Sequence, residues 1–326
     1  MRTAQGVWRE REGLLIRLED PQGRAGYGEV APVPGRGPGM IDEAQALLAR
    51  LGGRVEADRL VDIEEHLDCV RFALACATDR NPDSPAADRC LAVAALLPAG
   101  RDGLAAAVRA AAEGFVAFKW KVGVFAVAEE LAMLDDLVAG LPCGARLRVD
   151  ANGVWTSQQA ARWLARCAER PIEFVEQPCL ADATAGPAQQ RQTDDLLCGL
   201  ARDFPTPIAL DESATGLASL RSWCERGWPG VVVVKPALAG APAEVLALLA
   251  KHAVDAVFSS ALETVVGRQA ALQMAFRYRG PQERALGFGI LPLFEDARFD
   301  GMARAPFIAA DEAAALDLEA AWNALN

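Results

Sequence analysis

The chain has 326 residues, 52% of them hydrophobic, enough for one large barrel-type domain or two ordinary domains with a sizeable core. Its formal net charge of −11 argues against nonspecific attraction to nucleic acid or to an anionic membrane surface. With only two histidines, His66 and His252, a histidine-rich zinc site is excluded, and a Ser-His-Asp triad has no recognisable setting.

The apolar runs, such as 104–112, are short, alanine-rich and interrupted by charge, so no membrane span is expected. Eight cysteines lie between Cys69 and Cys224 without a CxxC pair, and the start does not read as a signal peptide. Reduced thiols and a cytoplasmic location are the expectation. The sequence sets no oligomeric state and is compatible with a monomer.

In chain order, "GLLIRLED" (13–20) reads as a strand and is followed by a glycine-rich loop, "GRAGYGEVAPVPGRGPG" (23–39). Helical spacing follows around 41–52 and 60–77, the second through Leu67, Val70 and Leu74. The turn-rich segment 77–89 marks a domain boundary. The expected division is an α+β capping domain over 1–88, completed by 296–326, and a catalytic barrel over 89–295.

From about residue 90, strand-like runs occur at 91–97, 115–122, 146–150, 172–178, 207–212, 231–236, 256–261 and 286–291, with helical stretches between them. The helix after "RVDANG" is well signalled. Thr156 and Gln159 form a capping box, and Ala160, Trp163, Leu164 and Cys167 fall on one face. Eight strands alternating with helices predict an α/β fold with a parallel (β/α)8-type barrel, a modified TIM barrel. An open doubly wound sheet is the structural alternative, although GxGxxG is missing after the first strand.

Catalytic groups in such a barrel come from the C-terminal ends of the strands. Those ends carry Lys119 and Lys121, then Asp150, Glu176, Asp211 and Lys235, on five successive strands. In "FKWKVG", Phe118, Trp120 and Val122 alternate with the lysines, so both ammonium groups share the inner face if the apolar groups meet the helices. Each residue also has a plain reading: Asp150 as a turn former, Asp211 as a helix cap, Glu176 and Lys235 as strand exits. Together, three carboxylates at one end of three neighbouring strands require a cation between them, and an all-oxygen set with open positions suits Mg²⁺. Cationic groups close to one another and to a metal shift toward lower pKa, so one lysine is expected to serve as a neutral base.

The ordered set "KWK", "RVDAN", "EFVEQP", "IALDES" and "VVVKP" resembles the muconate-lactonizing subgroup of the enolase superfamily, over most of the chain. Within it, the compact length, "LRVDAN", "SSALET" and "GYGEVAPVPG" are most similar to the o-succinylbenzoate synthase family. The resemblance implies a lyase of menaquinone biosynthesis. It would dehydrate 2-succinyl-6-hydroxy-2,4-cyclohexadiene-1-carboxylate, a small carboxylate, to 2-succinylbenzoate. It also implies that Asp150, Glu176 and Asp211 hold Mg²⁺, with Mn²⁺ as the alternative ion. Lys121 would move the α-proton, Lys119 would tune it, and Lys235 would stabilise the enediolate. Arg148 shares a face with Asp150, and a substrate contact and a structural salt bridge are both open for it. Asn152, Ser259, Ser260 and Thr264 lie where substrate polar groups could be reached, and Tyr27 and Glu29 lie on a loop suited to a lid.

Paired lysines also suit an N-acylamino-acid racemase, or another epimerase or cycloisomerase of the subgroup. Dipeptide epimerases carry Asp-x-Asp on the eighth strand, which "GFGILPLFED" lacks.

Overall fold

The computed structural model describes residues 2–3, 6–7, 10–34, 39–53, 55, 63–79, 88–182, 184–290 and 292–325. Near the start, β1 (Arg2–Thr3) and β2 (Gly6–Val7) pair antiparallel. A second hairpin joins β3 (Leu14–Glu19) to β4 (Ala25–Val30) in full antiparallel register. Residues 25–30 of the expected glycine-rich loop therefore form a strand, while 35–38 lie outside the described residues. The reason is packing. A Cβ on Gly28 would stand 1.9 Å from the Ala73 carbonyl oxygen, so glycine lets β4 lie directly on α2 (Asp68–Thr78). Helix α1 (Met40–Leu51) precedes α2, and part of the expected boundary at 77–89 lies outside the described residues.

Eight strands then pair in parallel around one sheet: β5 (Cys90–Leu97), β6 (Ala117–Lys121), β7 (Arg146–Asp150), β8 (Ile172–Glu176), β9 (Ile208–Leu210), β10 (Val231–Val234), β11 (Asp255–Phe258) and β12 (Leu286–Gly289). β12 returns to β5, and a parallel bridge between Ser259 and Gly287 nearly closes the ring. The result is a near-closed parallel barrel, and the open doubly wound alternative is set aside.

The helices between these strands are α3 (Asp102–Ala112), α4 (Val127–Gly140), α5 (Ser157–Cys167), α6 (Pro187–Asp203), α7 (Leu217–Glu225), α8 (Pro236–Ala239), α9 (Pro242–Lys251) and α10 (Val265–Arg277). α5 carries the anticipated capping box and buries the four residues expected of it, Ala160, Trp163, Leu164 and Cys167. Trp163 stacks on Trp155 at 4.9 Å and meets Trp120 edge-on at 6.3 Å, which fastens α5 to the outside of β6 and to the exit of β7. The strand expected over 231–236 stops at Val234. Pro236, with its fixed φ and no N–H, begins the short helix α8.

The N-terminal elements reach the barrel through part-buried polar contacts. Asp68 Oδ2 accepts from Leu217 N at the start of α7 (2.9 Å), and Arg71 Nη2 donates to both carboxylate oxygens of Glu244 (2.7 and 2.8 Å). Glu29 of β4 accepts from Thr264 N (3.0 Å), Thr264 Oγ1 (2.6 Å) and Gly267 N (2.9 Å), and so caps α10 from another element. At the other end of the chain, β13 (Phe307–Ala309) adds antiparallel to β5. It is followed by α11 (Ala310–Ala314) and α12 (Leu318–Asn323), whose Glu319 reaches Arg17 of β3 at 3.7 Å. All eight cysteines are free thiols. Among the described residues no helix is long and apolar enough to cross a membrane.

Candidate active site

Strand alternation decides what enters the barrel. Phe118 and Trp120 are fully buried against the helices, so Lys119 and Lys121 turn inward. The register then sets neighbours side by side: Lys119 beside Arg148, Lys121 beside Asp150, and Asp150 beside Glu176. These residues, with Asn152, Asp211, Lys235, Ser259 and Ser260, line one cavity of about 260 Å³. It opens at the C-terminal ends of the strands, and Val33, Leu96, Leu238, Leu262 and Ile290 supply an apolar wall. Lys121 on β6 and Lys235 after β10 stand four strands apart in a ring of eight, on opposite sides.

The carboxylates are almost wholly buried: Asp150 is 6% exposed, Glu176 1% and Asp211 3%. Lys119 Nζ bridges Glu176 Oε1 at 2.6 Å and Asp150 Oδ2 at 2.9 Å, and Lys235 Nζ lies 2.6 Å from Asp211 Oδ1. Burial works against the charge on Lys119, but Asp150, Glu176 and Asp211 outweigh it and hold its pKa above the ordinary lysine value. Lys235 is raised in the same way, by Asp211 and Glu212 against burial. Both shifts arise because carboxylates touch these two lysines more closely than other cations do. Burial pushes Glu176 up to about 8 even with Lys119 opposing it. Asp211 is lowered, since Lys235 and Lys119 overcome its burial. Lys121 is different. Among the described residues it makes no hydrogen bond or ion pair, and its ammonium group faces the cavity alone.

Among the described residues, no three His, Cys, Asp or Glu side chains are gathered as a metal site; the two ammonium groups lie against the carboxylates instead. The donor set still fits a hard cation. Glu176 and Asp150 present oxygens to one point occupied by a cationic Nζ, Asp211 opens into the same cavity, and all three donors are oxygen.

The exits of three strands are held in backbone conformations with positive φ: Asn152 (46°), Gln177 (36°) and Leu262 (66°). Such strain gathers where surrounding structure over-determines it. Asn152 donates to Asp150 through its backbone N (2.9 Å) and Nδ2 (3.2 Å), so it orients that carboxylate as well as lining the cavity. Gln177 was not singled out from the sequence. Its Oε1 accepts from Asp211 N (3.0 Å) and Ser213 N (3.1 Å), while its Nε2 donates to Ser213 Oγ and the Cys179 carbonyl, locking the exits of β8 and β9 together. The polar residue between Glu176 and Pro178 was the available signal. Glu212 was also missed; it lines the cavity, and burial together with Asp211 pushes its carboxyl up to about 7.

Arg148 settles between its two readings by geometry. Its Nε donates to Glu173 Oε2 at 2.7 Å, and its guanidinium lies 4.9 Å from the centre of the Phe174 ring. Glu173 is the extra residue where the β7–β8 register shifts, and Arg284 joins it at 2.7 Å and Asp255 at 2.6 Å. Arg148 therefore belongs to a salt-bridge chain while still lining the cavity. Two expected contacts fall elsewhere. Thr264 is used as the N-cap of α10 and as a donor to Glu29, and is not in the cavity wall. Tyr27 faces a separate groove and accepts from Arg17 Nε at 3.3 Å. Both lie outside because β4 pairs with β3 and packs on α2 and α10, and so is not free to fold over the cavity.

Residues 103–305 match the model of the "Enolase C-terminal domain-like" family. The chain is 41% identical over 294 residues to o-succinylbenzoate synthase of Thermosynechococcus vestitus, covering 88% of this chain and 87% of that one. It belongs to the o-succinylbenzoate synthase family of the enolase superfamily. Another relative of that name, from Klebsiella pneumoniae, is 31% identical over 271 residues, 79% of this chain and 76% of its own. Among solved structures, o-succinylbenzoate synthase from Thermosynechococcus elongatus, described as complexed with Mg in the active site, superposes with a TM-score of 0.78. It shares 40% identity, with 89% of this chain and 88% of that chain covered.

Proposed function

We propose that the protein dehydrates 2-succinyl-6-hydroxy-2,4-cyclohexadiene-1-carboxylate to 2-succinylbenzoate, a step of menaquinone biosynthesis. The single observation that carries this reading is the unpaired Lys121 facing Lys235 across a cavity floored by three buried carboxylates, in a chain of this family. Lys121 takes the proton α to the substrate carboxylate, and then returns it to the departing hydroxyl on the same face, a syn elimination. The Lys235 ammonium, kept charged by Asp211 and Glu212, stabilises the enediolate from the opposite side. Lys119, also kept charged, offsets the repulsion between Asp150 and Glu176 and orients the substrate carboxylate. Held by Asp150, Glu176 and Asp211, a divalent cation, Mg²⁺ or alternatively Mn²⁺, would supply Lewis-acid stabilisation of developing negative charge. Asn152, Ser259, Ser260 and Arg148 are the polar groups available to the rest of the substrate.

The division into a capping unit (1–88 with 296–326) and a catalytic barrel (89–295) is part of the same reading. The hairpin and α2 seated on the barrel, and the Arg17–Glu319 contact, support it. So does the packing of Leu15 and Tyr27, together with Leu316 and Leu318, against one cluster of Val265, Val266 and Ala321.

The opposed lysines also favour a second reading, racemization of N-acylamino acids, in which one lysine removes a proton and the other returns it. Incubation with the cyclohexadiene substrate and Mg²⁺ tests the first reading through appearance of the aromatic product. Absence of that product, with α-deuterium exchange into N-succinyl amino acids in deuterated water, would replace dehydration by racemization.

A further inference from the structure

The loop that leaves β6 immediately after Lys121 is built around one buried carboxylate. Glu130, in the first turn of α4, is 0% exposed. Its Oε2 accepts from Gly123 N at 2.9 Å, and its Oε1 accepts from Val124 N at 3.0 Å and Phe125 N at 3.1 Å. Three consecutive amides converge on one group in the manner of an anion-binding nest, here filled by a side chain of the same chain. Among the described residues no lysine or arginine is paired with Glu130, so the three amides carry its charge.

The same loop is clamped from its other side. Val122 N donates to the Asp150 carbonyl at 2.9 Å, which ties the exit of β6 to that of β7. Gly123 has φ +79°, and a Cβ there would stand 2.3 Å from Val154 Cγ2. The backbone after Lys121 is thus fixed at successive residues, by Asp150 at 122, by Val154 at 123 and by Glu130 at 123–125. Lys121 itself has no side-chain partner, so its backbone is what anchors the root of its side chain at the cavity.

We propose that Glu130 is a positioning residue for Lys121, holding the base at its working distance without touching substrate. The inference rests on the reading of Lys121 as the proton-transferring group. Glu130→Gln keeps the size of the side chain but puts an NH2 where one of its two accepting oxygens stood, against at least one amide donor, so the loop must shift. Displacements on the order of 1 Å cost reactions up to about 100-fold in rate.

The test compares Glu130→Gln, Glu130→Asp and Lys121→Ala with the wild-type protein in Mg²⁺, reading kcat, KM and the affinity for 2-succinylbenzoate. The expected result is a kcat about 10- to 100-fold lower in Glu130→Gln, with KM and product affinity held within about threefold. Glu130→Asp, which keeps the charge one methylene short, should fall between. Wild-type kcat in a folded Glu130→Gln would overturn the proposal, as would a loss of product affinity in step with kcat, which would mark general loosening of the cavity. Should Glu130→Gln fail to fold, wild-type kcat in Glu130→Asp overturns it equally. Turnover surviving in Lys121→Ala would sink the base assignment itself, a failure visible without the Glu130 variants.

Discussion

Lys119 and Glu176 lie on neighbouring layers of the barrel with Nζ and Oε1 2.6 Å apart across 57 residues of sequence, and the same Nζ reaches Asp150 Oδ2 at 2.9 Å. The carboxylate is 1% exposed and the lysine side chain 19%. Removing Lys119 takes the cation that touches both Asp150 and Glu176 out of a buried cluster, which costs about 3–5 kcal/mol. Lys119→Met is therefore expected to lower the thermal stability of the metal-free protein sharply. Mg²⁺ should restore more of it than it adds to the wild type, because the cation takes over the lost compensation. Melting curves with and without Mg²⁺ check this, and an identical Mg²⁺ effect in both proteins would count against a metal at these carboxylates.

Lys235→Ala removes no proton carrier from the dehydration, yet kcat should drop about 100- to 1,000-fold through loss of charge stabilisation opposite Lys121. Steady-state kinetics with the cyclohexadiene substrate decide it. Near-normal turnover would assign Lys235 to structure alone.

Glu173 carries the pH dependence of the barrel floor. Burial would raise its pKa, but Arg148 and Arg284 prevail and hold it below the ordinary value. A lowered carboxyl contributes stability that is present above the unfolded pKa of about 4.3 and is lost as pH falls through the folded value. Glu173→Gln should therefore be clearly less stable than wild type at pH 7, with the gap narrowing below about pH 4. Denaturant titrations at both pH values measure the gap; one that stays constant would contradict the linkage.

Glu29 links the hairpin to the barrel. Glu29→Ala leaves the amides of Thr264 and Gly267 without their acceptor, at a cost of about 1–3 kcal/mol. Thr264→Ala should cost less, and the double variant should lose less than the sum because both act on one cap. Additive losses in urea unfolding would mean the two residues act independently.

Much of this architecture was legible because strand alternation and strand ends are local signals. "FKWKVG" alone determines that Lys119 and Lys121 share a face, and the order of the motifs around the ring puts Lys235 across from them. The capping box at Thr156 and the buried face of α5 were legible for the same reason. What stayed hidden was non-local. Tyr27 looked like a loop residue because glycine signals flexibility, whereas Gly28 is there for the approach of Ala73. Thr264 looked free because nothing nearby in sequence announces Glu29, 235 residues away. The ion pairs of Lys119 and Lys235 were not legible because spacing reveals which charges share a cavity but not which of them touch. Gln177 and Glu130 act through backbone amides, a role that has no motif.

The central claim is that Lys121 alone moves the proton. Its most direct test is the rate of 2-succinylbenzoate formation by Lys121→Ala in saturating Mg²⁺, with product affinity measured on the same sample. Loss of turnover, by at least about 100-fold as expected for a positioned acid–base group, with product still bound, is the expected result. Turnover close to wild type would contradict it.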